Sequence, residues 1–150
     1  MSKSADDLLK LDRQICFPIY AASNLLTRLY RPLLDEIGLT YPQYLVMLVL
    51  WETPSRTVGE LGAALHLDSG TLTPLLKRLE ANGLVDRMRD PDDERRVIVT
   101  LTPDGKALKK KATSVPEALM ERSGLDLAGM ERLRTSVQAM VSALADVEGV

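Results

Sequence analysis

Apolar residues at Leu8, Leu11, Ile15, Ile19, Ala22, Leu26, Leu29 and Leu33 recur at intervals of three and four along the start of the chain. That rhythm predicts a helical region over about residues 7–36 with one buried stripe. Pro18 and Pro32 fall inside it and are expected to kink or split it, and Gly38 ends it. At Thr40 and Gln43 an S/T-x-x-E/Q capping box opens a second helix, TYPQYLVMLVLWE. Pro42 is tolerated there because first-turn N–H groups have no intrahelical acceptor. The same box at Thr57 and Glu60 opens a short third helix, TVGELGAALH. After a tight turn at Leu67, Asp68 or Ser69 caps a fourth, SGTLTPLLKRLEAN, whose first turn Pro74 is expected to distort. Gly83 and Leu84 then stand in the order of a Schellman end.

Beyond this point the period changes. LVDRMR and RVIVTL read as strands, and the charged turn DPDDERR makes them a hairpin. Thr102 followed by Pro103 starts a fifth helix, which Pro116 bends or interrupts. Asp126 caps a last helix to about residue 147. Its apolar residues Met130, Leu133, Val137, Met140, Leu144 and Val147 step by 3, 4, 3, 4, 3, which is a heptad seam. Such a seam packs either on the first helix of its own chain or against a second subunit, and the second is expected.

The fold class is therefore mainly α with a small β-hairpin. A short helix, a tight turn, a second helix and a hairpin make a winged helix-turn-helix, here over about residues 40–102. The flanking segments, about 1–38 and 103–150, are expected to be dimerisation helices of the same single domain. Groove geometry gives this arrangement a function, because the major groove of DNA accepts one helix while a hairpin reaches an adjacent minor groove. Ser69, Thr71 and Thr73 carry hydroxyls at the start of the second helix, with Asp68 before them and Lys77 and Arg78 further along. Arg95 and Arg96 at the wing tip are the natural backbone or minor-groove probes.

Charge works against this reading. The net charge is -2, and from Thr57 to Thr102 six cationic side chains face eight carboxylates. Double-stranded DNA as a partner requires the cations to segregate onto one face. Other functions are bounded more firmly. The longest apolar run, YLVMLVLW, is far short of the roughly 20 residues of a membrane helix. The start of the chain carries acidic residues and no apolar run, so no secretory signal is read there and the expected location is the cytoplasm. The single cysteine, Cys16, forms neither an intrachain disulfide nor a metal site by itself, and no cofactor is expected. It is a buried small hydrophobe or a reactive thiol. His66 is expected at a helix end on the surface, and Met47, Met120, Met130 and Met140 as core filling.

The segment DSGTLTPLLKRLEANGLVDRMRDPDDERRVIVTLTPDG resembles the recognition helix and wing of MarR-family transcription regulators. The wing's D-x-R pattern is Asp93-Glu94-Arg95, followed by Leu101-Thr102-Pro103-Asp104-Gly105. QICFPIYAAS and YRPLLDEIGLTYPQYLVMLVLWE resemble one branch in particular, the organic hydroperoxide-sensing repressors (OhrR). The resemblance covers nearly the whole chain. It implies a homodimer on a pseudo-palindromic operator, Cys16 as the peroxide-reactive residue, and Tyr20, Tyr30 and Tyr41 as its tyrosine neighbours, some across the dimer interface. It also implies that Arg95 enters the minor groove. The chain departs from the branch at Pro18, more usually a non-proline apolar residue, and in having no second, resolving cysteine.

The spacings add physical content. Cys16 and Tyr20, four apart, share a face of a continuous helix. Tyr30 lies fourteen residues on and faces a similar way, but at about 1.5 Å per residue it is roughly 21 Å along the axis. A partner subunit is expected to bring it close. Thiolate attacks peroxide, and phenol O–H donors favour thiolate. Ile15, Phe17 and Ile19 would surround the site with apolar surface suited to organic hydroperoxides. Without a second cysteine, the sulfenic acid is expected to be trapped by a small cellular thiol or to go on to sulfinic acid. The alternative is a MarR-type repressor released by a noncovalent aromatic or phenolic ligand. An enzyme, a thiol peroxidase, is disfavoured because a resolving cysteine is lacking and the winged domain would go unexplained.

Overall fold

The computed structural model describes residues 4–147, and the chain divides between Thr113 and Ser114 into two compact units. The first holds α1 (Ala5–Leu8), a single 3₁₀ turn (Leu11–Arg13), α2 (Phe17–Asp35), α3 (Tyr41–Glu52), β1 (Ser55–Thr57), α4 (Val58–Leu65), α5 (Ser69–Ala81), β2 (Val85–Arg89), β3 (Val97–Leu101) and α6 (Pro103–Ala112). The second holds α7 (Val115–Ser123) and α8 (Leu127–Ala145). Among the described residues no helix is long and apolar enough to cross a membrane.

The helical region expected over residues 7–36 is broken ahead of Cys16. Lys10 and Gln14 are extended on either side of the 3₁₀ turn, and Cys16 becomes the residue that enters α2. The Gln14 side chain folds the segment back by donating to the carbonyls of Leu8 (2.7 Å) and Lys10 (3.0 Å). Pro18 thus occupies the first turn of α2, where its missing N–H deprives no helical acceptor. Pro32 splits nothing, since α2 runs through it to Asp35. Both Pro32 and Arg28, whose carbonyl loses its bond, are exposed, so water can satisfy that oxygen. Pro74 likewise leaves the first turn of α5 undistorted. There the Leu72 N–H bonds to the Asp68 carbonyl (3.0 Å), and the Asp68 carboxylate accepts from the Thr71 N–H (2.7 Å).

Both capping boxes form, at Thr40/Gln43 and Thr57/Glu60. α3 buries Gln43, Tyr44, Val46, Met47, Leu50 and Trp51 on nearly all sides, so it reads as an apolar run with no single face. Leu61 of α4, Leu72, Leu76 and Leu79 of α5, and Val85 and Val99 of the sheet complete the core. The expected hairpin is part of a three-stranded antiparallel sheet in the order β1-β3-β2. β1 adds the third strand by pairing Ser55 with Thr100 and Thr57 with Ile98.

The α4–α5 turn is tight because Gly62 permits it. Its carbonyl accepts the Leu67 N–H (3.0 Å), and a Cβ at Gly62 would lie 2.6 Å from the Leu67 carbonyl oxygen. His66 closes α4 in the left-handed region at φ 53° and is exposed. At the other end of α5 the Schellman bonds form, Leu84 N–H to Leu79 (3.0 Å) and Gly83 N–H to Glu80 (2.9 Å).

In the second unit, α7 begins at Val115 with Pro116 in its first turn, so the expected interruption falls at Thr113–Ser114. Asp126 caps α8 through the Gly129 N–H (2.6 Å). No residue of α8 is buried, and seam positions Leu133, Val137, Leu144 and Val147 are exposed.

Gly62→Ala should cost about 1–3 kcal/mol, because the obstructing atom is backbone and cannot rotate away. The urea midpoint of the variant reads this directly, and an unchanged midpoint would mean the α4–α5 turn opens freely.

Candidate functional site

α2 separates two environments along its length. At its start, Cys16 is exposed and Tyr20 is 67% exposed, joined through the first-turn bond from the Tyr20 N–H to the Cys16 carbonyl (3.1 Å). Ile15, Phe17 and Ile19 around them are exposed as well, so this end of the helix is an uncovered apolar surface carrying a thiol.

Further along α2, Tyr30 meets α3. Its ring centroid lies 4.8 Å from that of Tyr41 and 5.9 Å from that of Tyr44, and Tyr41 and Tyr44 are 6.5 Å apart. The capping box fixes where α3 begins and so places Tyr41 at its first position. Burial, with Tyr41 and Tyr44 beside it, pushes the Tyr30 phenol up from 10.0 to about 12. Burial raises Tyr41 and Tyr44 too. All three are therefore neutral O–H donors at ordinary pH. The structure thus brings Tyr30 and Tyr41 together and leaves Cys16 with Tyr20 at the opposite end of the same helix. Tyr44, 4% exposed, is a third member that helical intervals counted from Cys16 do not reach, and in sequence it is hidden within an apolar run.

The second constellation surrounds a groove of about 430 Å³ between the starts of α4 and α5 and the wing. Ser69, Thr73, Arg95 and Arg96, four of the residues expected to contact DNA, line it, and so do Thr57, Val58, Gly59 and Arg87, which no sequence motif marks as groove residues. The Asp68 carboxylate caps α5 and is held below the usual carboxylate range by the Thr71 N–H and hydroxyl. Thr73 donates its hydroxyl to the Ser69 carbonyl (2.7 Å). Thr71, Lys77 and Arg78 are exposed on α5 but do not line the groove.

The wing arginines are held by neighbouring carboxylates. Asp93 accepts from both the Arg95 N–H (3.1 Å) and Nε (3.2 Å), while the Arg95 side chain remains 91% exposed. Arg96 lies 3.8 Å from Asp90. Arg87 ties the wing to α5 by donating to Glu80 from its backbone N–H and its guanidinium, each at 3.1 Å, which holds Glu80 below its usual range. Arg87 pairs across seven residues that straddle a turn, so no helical or strand interval in the sequence marks it.

These pairings account for most of the carboxylates of the winged segment. Glu60 and Asp68 serve as helix caps, and Glu80, Asp90 and Asp93 each hold an arginine of the groove or wing. Five of the eight carboxylates therefore have structural work beside the cations they would otherwise oppose.

The profile of a family described as the transcriptional regulator SarA/Rot matches residues 28–112. The organic hydroperoxide resistance transcriptional regulator of Bacillus subtilis is 44% identical over 92% of this chain and 94% of its own length. The HTH-type transcriptional regulator TtmR of Methylorubrum extorquens is 50% identical over 90% of this chain and 69% of its own. Among solved structures, reduced AbfR bound to DNA superposes with a TM-score of 0.74 at 36% identity, covering 94% of this chain and 99% of that one. AbfR comes from Staphylococcus epidermidis and is also known overoxidised on DNA and in a disulfide form. The chain belongs to the winged-helix transcriptional regulators of the MarR and SarA/Rot type, in the branch of the organic hydroperoxide resistance regulators.

Proposed function

We propose that the protein is a cytoplasmic, homodimeric repressor that binds a pseudo-palindromic operator and releases it when Cys16 is oxidised by an organic hydroperoxide. The division of α2 carries this reading, with an exposed thiol in apolar surroundings at one end and a cluster of half-buried and buried phenol donors at the other. The exposed apolar start of α2 supports a partner subunit, and so, separately, does the exposed heptad seam of α8. A second copy running antiparallel brings its phenols to this chain's Cys16. The groove between α4, α5 and the wing takes the phosphate backbone, and Arg95 probes the minor groove.

The chemistry balances without a cofactor. The Cys16 thiolate attacks the outer peroxide oxygen, the O–O bond breaks, and the organic fragment leaves as an alcohol after taking a proton. Cys16 is left as sulfenic acid, and a small cellular thiol condenses with it to a mixed disulfide and water. The thiolate loses its phenol hydrogen bonds, and a bulky adduct in a packed interface changes the spacing of the two wings.

Cys16→Ser should keep operator affinity and lose the response to organic hydroperoxide. A variant still released by cumene hydroperoxide would move the signal to a noncovalent ligand. Arg95→Ala should weaken operator binding and reduce the salt dependence by about 0.9 per lost phosphate contact, with an unchanged melting temperature. Equal affinity at fixed salt would take the wing out of the interface.

The tyrosine cluster adds an alkaline prediction. The folded state holds the Tyr30 proton to about 12, above the unfolded phenol's value near 10.0. Its contribution to stability is complete below pH 10 and is lost as pH rises toward 12. Urea denaturation of Tyr30→Phe should therefore decline less steeply than wild type across that window, and parallel curves would rule the cluster out.

A further inference from the structure

Tyr44 and Trp51 stand two turns apart on one face of α3 and meet edge to face, with ring centroids 6.4 Å apart. Tyr44 belongs to the phenol cluster. Trp51, the chain's only tryptophan, is 9% exposed and spends its single polar atom outside α3. Its indole N–H donates to the Gly105 carbonyl (2.9 Å), a buried bond spanning 54 residues. The Lys109 ammonium closes the same junction from α6 by donating to the Trp51 carbonyl (3.4 Å).

Gly105 is itself fixed to the base of the wing. A Cβ there would stand 2.1 Å from the Leu84 carbonyl oxygen, so the first turn of α6 lies flush against the entry to β2. The Gly105 N–H bonds to the Thr102 hydroxyl (3.0 Å), which donates to the Gly83 carbonyl (2.6 Å), and the Thr102 N–H bonds to Leu84 (3.1 Å). An unbroken series of contacts thus runs from Tyr30 through Tyr44 and Trp51 to Gly105 and the wing root.

We infer that Trp51 is the positioning residue through which a displacement of the phenol cluster reaches the root of the wing. The inference rests on the proposed role of that cluster in sensing. Core packing alone would be served by any large apolar side chain, whereas the indole N–H provides a directional bond to one backbone oxygen. Because Gly105 has no slack against Leu84, a shift of α3 along its axis moves α6 and the strand entry together.

Four proteins test this without peroxide or DNA, so the result is independent of whether Cys16 is the sensor: wild type, Tyr30→Leu, Trp51→Phe and the double variant. The readout is amide hydrogen exchange at Leu84, Leu101 and Thr102, none of which is a ring or hydrogen-bond partner of Tyr30. Tyr30→Leu should speed exchange at these amides about five-fold or more in the wild-type background. The same substitution should add nothing once Trp51 is phenylalanine. Unchanged root exchange in Tyr30→Leu overturns the proposal, and so do independent effects that multiply in the double variant. Should Trp51→Phe fail to fold, Trp51→Tyr, which keeps a large ring and lacks the indole N–H, takes its place in the same comparison.

Discussion

The Thr102 hydroxyl sets the direction of the wing. It caps α6 by accepting the Gly105 N–H and at the same moment donates to the Gly83 carbonyl at the exit of α5. A single side chain therefore joins the end of α5, the start of β2 and the start of α6, and the absent side chain of Gly105 lets them touch. The wing tip is a sheet's length from that joint. Arg95 and Arg96 at that tip line the groove with Ser69, so the joint and the groove are parts of one hairpin's placement. The Glu80–Arg87 pair braces the same angle from the groove side.

Much of this framework is legible in the amino-acid sequence, for a local reason. Thr40, Thr57, Asp68, Thr102 and Asp126 all cap the helices their positions announce, because a cap is decided within four residues. Gly83 and Leu84 are readable on the same ground. The prolines mislead because their cost depends on what surrounds them. Pro32 and Pro74 lie on exposed helix faces where water replaces the lost bond, and Pro18 sits at an N-terminus that the apolar rhythm runs straight past. β1 escapes notice because Ser-Arg-Thr has no alternation and exists as strand only by pairing with β3. Tyr44, Arg87 and the Trp51–Gly105 bond are hidden for the same reason, since each is defined by a partner remote in sequence or across a turn.

Charge shows the limit of composition more sharply. A winged segment with more carboxylates than cations looks unsuited to a polyanion, and a sum over residues cannot say otherwise. Position qualifies that expectation, because a carboxylate that caps a helix or clamps an arginine is aimed into the protein's own hydrogen bonds. Asp93 is the clearest instance. By accepting from both the backbone and the Nε of Arg95, it narrows the conformations of a long side chain that is otherwise in solvent. For the proposed insertion into the minor groove, the entropy that side chain would lose is correspondingly smaller. An acid beside an exposed arginine is thus compatible with the proposed DNA contact, provided it orients the guanidinium and leaves its other edge open.

The same reasoning applies to the thiol. In one protomer Cys16 has apolar neighbours and no buried donor, while the phenols have donors to spare and no thiol. The helix that carries both ends is too straight and too long to fold them together, with fourteen residues of rise between Cys16 and Tyr30. Exposed Ile15 and Phe17 give the missing partner an apolar footing, and Pro18 starts the helix without leaving an orphan N–H beside the sulfur. A sensor of the kind proposed would be complete only in a dimer, so that oxidation of Cys16 would be an event at the interface between two copies.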